Sequence, residues 1–346
     1  MELTNDIILL NRDVEHLLVQ AGATRTKFLG HDDKYEVLQF VHFSDVHRRL
    51  EMWNRTVQYI NHYQDYISFA LHTGDYCGAT RNLYTDLYTE GDTCNRTIYN
   101  CVGNHDTFNE DMSRGDQATT QDLLFRHTEN WNANFCDCAN PTAYYTDFPQ
   151  ANVRMIVLDV YYSIDEQRKW LANVLEDALQ KGLCVITASH ETTALVENTY
   201  NCTFHTLNDF NQMRINEVTR RNDGVYNEPE FGFVDRPLFE ETICAFKEKG
   251  GTHICHLAGH SHHDYFGLTK AGVLNSVVPS SCAWDGWCDG KRVRGTKTYD
   301  CFNIVSIDAN IGLLKIVRVG DNLDHYLRKR TALCYDYINK KVISNF

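Results

Sequence analysis

The chain has no long apolar run, no excess of basic residues and no basic segment leading into an apolar one at its N-terminus. Crossing a bilayer needs about 20 consecutive apolar residues, so we expect no transmembrane segment and no membrane partner. Lys and Arg total 33 against 46 Asp and Glu, which gives a formal net charge of -13 at pH 7. Binding to nucleic-acid duplexes through general charge attraction is therefore not expected, and an anionic substrate must be captured locally.

Cysteines with the spacing of a structural zinc site are also lacking. The chain has 13 cysteines at irregular positions, and the closest pairs, Cys136 with Cys138 and Cys282 with Cys288, do not give the paired two-residue spacing of such a site. An odd count and the lack of a secretory segment favour reduced thiols over a disulfide framework. We therefore predict a cytoplasmic location.

A chain of 346 residues is long enough for one large α/β domain or two smaller ones. Residues 1–34 carry a short helical pattern, which predicts an N-terminal helical appendage. Residues 35–320 hold the strands and helices of the main domain, and residues 107–142 interrupt their rhythm as an insertion expected over the functional site. Residues 321–346 are predicted to be a C-terminal extension packed on that domain.

Apolar runs bounded by polar residues predict the strands, and apolar residues at helical spacing predict the helices. The predicted strands are Tyr35–Phe43, Ile67–Thr73, Ile98–Val102, Tyr144–Phe148, Val153–Val160, Leu183–Ala188, Val273–Val278, Cys301–Ile307 and Leu313–Val319, with one more running into Gly259. The predicted helices include Leu50 to Ile60, a helix from a capping box of Ser163 and Glu166 to Gly182, and a helix from Asp235 to Gly250. Residues 192–234 are predicted to be a polar loop.

Potential metal ligands follow five of these strands. They are Asp45 and His47, Asp75, Asn104 and His105, His190, and His260 with His262. Open α/β sheets keep their sites at the carboxyl ends of strands, so we expect these side chains to meet. Carboxylates, imidazoles and an amide oxygen suit divalent manganese, iron or zinc. The recurrence therefore predicts a metal site, whereas the stretch from Gly103 to Asp106 taken alone could equally be a polar turn.

In this order the motifs resemble those of the calcineurin-like metallophosphoesterase superfamily, over about Tyr35 to Gly320. The resemblance implies an α/β fold with two facing mixed β-sheets flanked by helices, an αββα sandwich. It also implies two divalent metal ions as cofactors, with manganese, iron or zinc expected. Residues 35–320 would then be a metallophosphoesterase catalytic domain.

The resemblance implies a role for each ligand residue. Asp45, His47 and His262 would hold the first metal, Asn104, His190 and His260 would hold the second, and Asp75 would bridge the two. His105 would stabilise or protonate the leaving oxygen. Two cations about 3.5–4 Å apart can polarise a phosphoryl oxygen and activate a water for in-line attack, and an imidazole can supply a proton at neutral pH.

The loop after Asp75 departs from two branches of the superfamily. Protein phosphatases carry an Asp three positions after the bridging Asp and an Arg beside it, whereas this chain has Gly78 and Ala79. Purple acid phosphatases place a metal-binding Tyr there, and Tyr76 has the wrong offset. The sequence therefore favours a small phosphorylated substrate over a phosphoprotein.

The segment from Pro279 to Tyr299 combines aromatic and basic side chains in an otherwise acidic chain. Its candidate substrate-binding residues are Trp284, Trp287, Arg292 and Arg294. Such rings and cations suit a base, a sugar or an aryl phosphate. A solvated surface loop with two partly buried tryptophans explains the composition equally well.

The favoured function is hydrolysis of a phosphomonoester or phosphodiester of a small molecule or nucleotide by a metal-activated water. No serine or cysteine motif indicates a covalent enzyme intermediate. The alternative is a metal-binding scaffold or binding protein that retains the site without turnover. Arg48 and Arg49, beside the first metal motif, fit an exposed helix start or a contact with phosphate.

Overall fold

The structure is a computed structural model and describes residues 34–194, 196–202, 239–262, 265–282, 299–320 and 332–345. Within these ranges the strands are β1 (Leu38–Phe43), β2 (Phe69–His72), β3 (Ile98–Asn100), β4 (Asn134–Phe135), β5 (Tyr144–Phe148), β6 (Val153–Val157), β7 (Cys184–Ala188), β8 (Val196–Cys202), β9 (His253–Ala258), β10 (Tyr265–Thr269), β11 (Leu274–Val277), β12 (Cys301–Asp308), β13 (Leu313–Gly320), β14 (Ala332–Asp336) and β15 (Lys341–Asn345). The α-helices are α1 (Leu50–His62), α2 (Leu87–Glu90), α3 (Asn104–Thr107), α4 (Gln117–Phe125), α5 (Ile164–Lys181) and α6 (Glu240–Glu248). The predicted helical appendage falls almost wholly outside the described ranges.

The strands form two mixed sheets. The first sheet has seven strands in the order β15-β14-β13-β12-β1-β2-β3, and the second has eight in the order β4-β5-β6-β7-β9-β11-β10-β8. In the first sheet β1, β2 and β3 are parallel, and in the second β6, β7, β9 and β11 are parallel. Parallel neighbours bring the loops at their carboxyl ends to one edge of each sheet.

Aromatic rings join the two sheets in one apolar core. Phe69 of β2 stacks on Phe148 of β5 with ring centroids 4.7 Å apart, and Tyr99 of β3 lies 6.1 Å from Tyr144 of β5. Buried rings of this size supply much of the apolar area that stabilises a domain. The facing sheets are thus held together by their inner side chains.

Helices cover the outer faces, which completes the predicted αββα sandwich. On the first sheet, Tyr59 of α1 packs edge-on against Phe302 of β12, with centroids 5.2 Å apart. On the second, the fully buried Arg154 of β6 donates to the carbonyl of Val174 in α5 at 2.7 Å. The predicted fold class is confirmed.

The predicted capping box at the start of α5 is wrong. Ser163 has a φ of 49° and makes no side-chain cap, because its hydroxyl donates instead to Gln117 Oε1 at 2.8 Å. The partner comes from the helix α4, far away in sequence. The predicted end of α5 is confirmed, since Gly182 adopts the left-handed conformation there.

The predicted polar loop of residues 192–234 is also wrong in part, because it contains β8. This strand lies at the edge of the second sheet and pairs only with β10 among the described strands, so its polar sequence carries little strand signal. Several predicted strands were too long at their carboxyl ends. Cys101 and Val102, for example, are buried but lie in a loop.

None of the helices in the described ranges has the combination of length and apolar character needed to cross a membrane.

Candidate metal centre

Loops from both sheets bring the predicted ligands together at one edge of the sandwich. Asp45 and His47 follow β1, Asp75 follows β2, Asn104 and His105 open α3 after β3, His190 follows β7, and His260 with His262 follow β9. Hydrogen bonds between loops fix this convergence, since the N–H of Asp45 donates to Gly74 O and the N–H of His260 donates to Asp45 Oδ2. The strand-end pattern therefore located neighbouring residues correctly.

The first group of ligands is Asp45, His47 and His262. His47 Nε2 lies 3.2 Å from His262 Nε2, and His262 Nε2 lies 3.3 Å from Asp45 Oδ1. With Asp75 they offer four ligand atoms that all lie within 4.8 Å of one another, which is close enough to surround one metal ion. Carboxylate and imidazole donors of this kind suit zinc, manganese or iron.

The second group is Asn104, His190 and His260. Asn104 Oδ1 lies 3.1 Å from His190 Nε2 and 3.0 Å from His260 Nδ1. Asp75 Oδ2 lies 3.3 Å from His190 Nε2 and 4.0 Å from His47 Nε2. One carboxylate oxygen of Asp75 therefore approaches both groups, as a bridging ligand must.

Main-chain carbonyls fix the tautomers of two of these imidazoles. His190 Nδ1 lies 2.6 Å from Thr73 O, and His47 Nδ1 lies 3.2 Å from Cys77 O. A carbonyl oxygen can only accept, so both Nδ1 atoms carry hydrogen and both neutral rings turn an Nε2 lone pair toward the centre. In the second group Nε2 of His190 faces the amide oxygen of Asn104 at 3.1 Å, where a metal ion can take the place of the proton that otherwise joins the two atoms. The residues therefore fit a bound cation.

The pKa values of His190 and Asp45 are shifted in the direction that favours positive charge at the centre. Burial lowers the pKa of His190, but the carboxylate of Asp75 reverses this and the result is a pKa of about 10. Burial raises the pKa of Asp45, but the adjacent His262 has the opposite effect, and the resulting pKa is about 2. The two buried carboxylates thus stabilise positive charge among the ligand atoms.

The ligand loops have an unusual backbone. Five of the seven predicted ligands have φ between 46° and 65°, namely Asp45, His47, Asp75, His260 and His262. Residues other than glycine rarely adopt this conformation, and they do so most often where function requires it. Gly103 shows how tightly the loops are packed, because a Cβ there would overlap the backbone and carboxylate of Asp75.

Asp106 has a positioning role that the sequence did not reveal. Its carboxylate accepts hydrogen bonds from the N–H groups of Asp75, Cys77 and Gly103, at 2.8 to 2.9 Å. Burial raises its pKa to about 6, and the charge of Asp75 acts in the same sense. Asp106 therefore ties the loop after β2 to the loop after β3. The Gly-Asn-His-Asp motif contained it, but its three partners could not be read from the sequence.

The predicted catalytic residue His105 lies beside the ligands without belonging to either group. Its Nδ1 lies 2.9 Å from Ala79 O, and its Nε2 lies 3.8 Å from Asp75 Oδ2. Since Ala79 O can only accept, the Nδ1 atom carries hydrogen and Nε2 is directed toward the centre. The ring is 30% exposed, so a substrate can reach it.

Residues 107–142, which the sequence predicts to be an insertion, are attached next to this site. Arg81 donates to Asn109 Oδ1 at 2.6 Å and to Asp116 O at 3.0 Å, and its own N–H donates to Phe108 O. Thr120 Oγ1 in α4 donates to Asp106 O at 3.3 Å. These contacts connect the insertion to the two loops that carry Asp75 and His105.

The four predicted substrate-binding residues, Trp284, Trp287, Arg292 and Arg294, lie outside the described residues. The residues just before their segment contact the metal centre. Ser280 Oγ and the N–H of Cys282 donate to Asp45 O at 2.9 and 3.1 Å. On the other side, Asp300 forms a buried pair of hydrogen bonds with Arg55 in α1, both at 2.7 Å.

Solved structures resemble this chain at low sequence identity. No curated protein matches the chain. Among solved structures, a dimetal phosphatase from Danio rerio is 11% identical with a TM-score of 0.49, and the match covers 82% of this chain and 96% of that chain. A 5'-nucleotidase from Candida albicans is 12% identical with a TM-score of 0.43, covering 83% and 52% of the two chains. Likenesses this distant carry no argument about activity.

A family model gives the decisive match. The model for calcineurin-like phosphoesterases matches residues 38–267, which include every predicted metal ligand and His105. The match spans well over half of the chain. The chain therefore belongs to the calcineurin-like phosphoesterase family.

Proposed function

We propose that the protein hydrolyses a phosphomonoester or phosphodiester of a small molecule or nucleotide, with two divalent metal ions held by the two ligand groups. The observation that carries the proposal is the position of Asp75. Its Oδ2 approaches the imidazoles of both groups, at 3.3 Å from His190 and 4.0 Å from His47, while His105 stands at 3.8 Å. A bridged pair of ions beside a free imidazole is the arrangement that this reaction needs.

The residues of the site would have different roles in this reaction. Asp45, His47 and His262 would hold one ion, Asn104, His190 and His260 the other, and Asp75 both. When bound, the two ions would polarise a phosphoryl oxygen and activate a water for attack. His105 in its protonated form would carry hydrogen on Nε2 and donate it to the leaving oxygen, while Ala79 O holds the ring in place.

The absence of two side chains supports a small substrate. Gly78 and Ala79 offer no carboxylate to orient His105 and no guanidinium to hold a phosphoprotein. The backbone carbonyl of Ala79 orients the imidazole instead. We therefore assign recognition to other segments, and we propose residues 107–142 together with Trp284, Trp287, Arg292 and Arg294. Ser280 and Cys282, the described residues that precede that segment, donate to the carbonyl of Asp45.

The test is hydrolysis of nitrophenyl phosphate and of its bis ester by the full chain, with Mn²⁺, Fe²⁺ or Zn²⁺ added to separate samples. Release of nitrophenol that requires one of these ions and falls in His105→Ala supports the proposal. Tight binding of two ions without turnover of either ester, or of a panel of nucleotides, indicates a binding protein instead. Replacing Trp284 and Trp287 with Ala should raise KM for a preferred nucleotide far more than for nitrophenyl phosphate.

A further inference from the structure

Arg48 lies in the loop that carries His47 and contacts the loop that carries Asp75. It follows His47 directly, its φ is 56°, and its N–H donates to Tyr76 O at 2.7 Å. A left-handed conformation is costly for an arginine, so the surrounding loops must hold it there. The backbone of Arg48 is therefore fixed at the margin of the metal centre, before helix α1 begins.

The stem of Arg48 runs over Gly78. Its Cδ lies 3.5 Å from the point that a Cβ of Gly78 would occupy. Gly78 directly precedes Ala79, whose carbonyl accepts from His105. A Cβ at position 78 would come closest to Leu83, at 3.1 Å from its Cβ, and would make ordinary contact with Arg48 Cδ. The side-chain carbons of Arg48 thus extend from the first ligand group toward His105, the predicted proton donor.

The guanidinium of Arg48 is available to a ligand. Arg48 is exposed, and its side chain has no hydrogen bond or ion pair in the structure as described. Other arginines near the site are engaged: Arg55 binds Asp300, and Arg81 binds Asn109 and Asp116. In a chain with a net charge of -13, an exposed arginine at the margin of the metal centre that has no ion pair within the described part of the protein suits an anionic ligand.

We propose that Arg48 binds the substrate's phosphate group. This inference rests on the proposed phosphoesterase function. A guanidinium offers a planar fork of N–H donors that matches two oxygens of one phosphoryl group, which leaves the remaining oxygens to the metal ions. Because a monoester carries one more negative charge than a diester, Arg48 contributes more to binding of monoesters.

The experiment compares Arg48→Gln, Arg48→Lys and Arg49→Gln in the full, Mn²⁺-loaded chain. Arg49 is the matched control, since it is exposed and adjacent but has other contacts within the protein. We expect Arg48→Gln to raise KM for nitrophenyl phosphate about 10- to 100-fold, the range for a lost charged hydrogen bond, with a smaller rise for the bis ester. Arg48→Lys should recover part of the loss, and Arg49→Gln should match the wild type.

Two further readouts separate this role from a structural one. Metal content and Tm should be unchanged in Arg48→Gln, and the affinity for inorganic phosphate, measured by calorimetry, should fall in parallel with KM. Equal KM values in Arg48→Gln and Arg49→Gln, or equal losses for both esters, would overturn the inference while leaving the hydrolase intact. If the wild type hydrolyses neither ester, the proposed function fails, and unchanged phosphate affinity in Arg48→Gln would then overturn the inference as well.

Discussion

The two sheets make different contributions to the metal centre. The first sheet supplies the oxygen donors Asp45, Asp75 and Asn104 together with His47, and it also carries His105. The second sheet supplies three imidazoles, those of His190, His260 and His262. Carboxylate charge is thus concentrated on one sheet, and imidazole nitrogens face it from the other.

This division means that neither sheet can form either ligand group alone. The first group takes His262 from the second sheet, and the second group takes Asn104 from the first. Ion binding should therefore depend on the packing of the sheets and should in turn strengthen it. It also means that a change to the shared carboxylate of Asp75 should damage both ion sites, whereas a change to one imidazole should damage one.

The largest expected effect is that of Asp75→Asn. Replacing the shared carboxylate should weaken both ion sites by more than the roughly 10- to 100-fold that loss of a supporting group costs, because Asp75 itself is a ligand. His190→Ala should weaken the second site alone. Elemental analysis of both variants after dialysis against limiting Mn²⁺ measures the difference. Equal metal contents in the two variants would contradict the proposed division between the sheets.

The next effect is that of His105→Ala, which removes a first-sheet residue that is not a predicted ligand. Turnover should fall about 100- to 10,000-fold, the usual range for an acid–base group, while metal content stays near that of the wild type. The loss should be smaller for nitrophenol esters than for alkyl esters, since a good leaving group needs less protonation. Loss of metal in this variant would show that His105 acts as a ligand instead.

A smaller effect concerns charge on the second sheet. Asp159 follows β6, is fully buried and accepts from the N–H groups of Tyr161 and Tyr162 and from the hydroxyl of Thr142. Burial raises its pKa from 3.8 to about 6. A raised pKa means that the group stabilises the fold most at low pH, and that this contribution is lost as pH rises from about 4 through 6.

Asp159→Asn should remove the loss of stability that the wild type shows as pH rises. Relative to the wild type, the variant's free energy of unfolding should increase between pH 4.5 and 7, at about 1.4 kcal/mol for each unit of pKa difference between folded and unfolded states. Denaturant titrations of the metal-free proteins at several pH values measure it, and Asp137→Asn, at an exposed position, is the control. Parallel pH profiles for all three proteins would rule out a penalty for negative charge at this position.

The smallest expected effect is the gain in stability from the ions themselves. An ion present at 100 times its Kd stabilises the folded state by about 2.7 kcal/mol, which should raise Tm by several degrees in a chain of this size. Calorimetry with and without a chelator measures the shift. His262→Ala, which breaks the link between the sheets in the first group, should show a smaller shift. An unchanged Tm after chelation of the loaded wild type would mean that the ions do not join the sheets.

Much of the centre could be predicted because its residues follow a regular rule. Apolar strands end in polar side chains, and parallel strands end at one edge, so Asp45, Asp75 and His190 were placed together from the sequence. What could not be predicted depends on partners distant in the chain. Ser163 looked like a helix cap, but its hydroxyl binds Gln117, and the edge strand β8 is too polar to show a strand pattern. The role of Asp106 could not be predicted for the same reason, since its N–H partners come from the loops after two different strands.

The groups that orient three imidazoles are carbonyls of the main chain. Thr73 O holds His190, Cys77 O holds His47 and Ala79 O holds His105. Every amino acid has this carbonyl, so no single substitution at the three partner positions can delete the acceptor itself. The carbonyls also do not titrate, so the ring orientations should persist at any pH at which the loops stay folded. In terms of mutational robustness, a point mutation can remove one of the histidines themselves, but most point mutations at the three partner positions leave the orienting carbonyl in place.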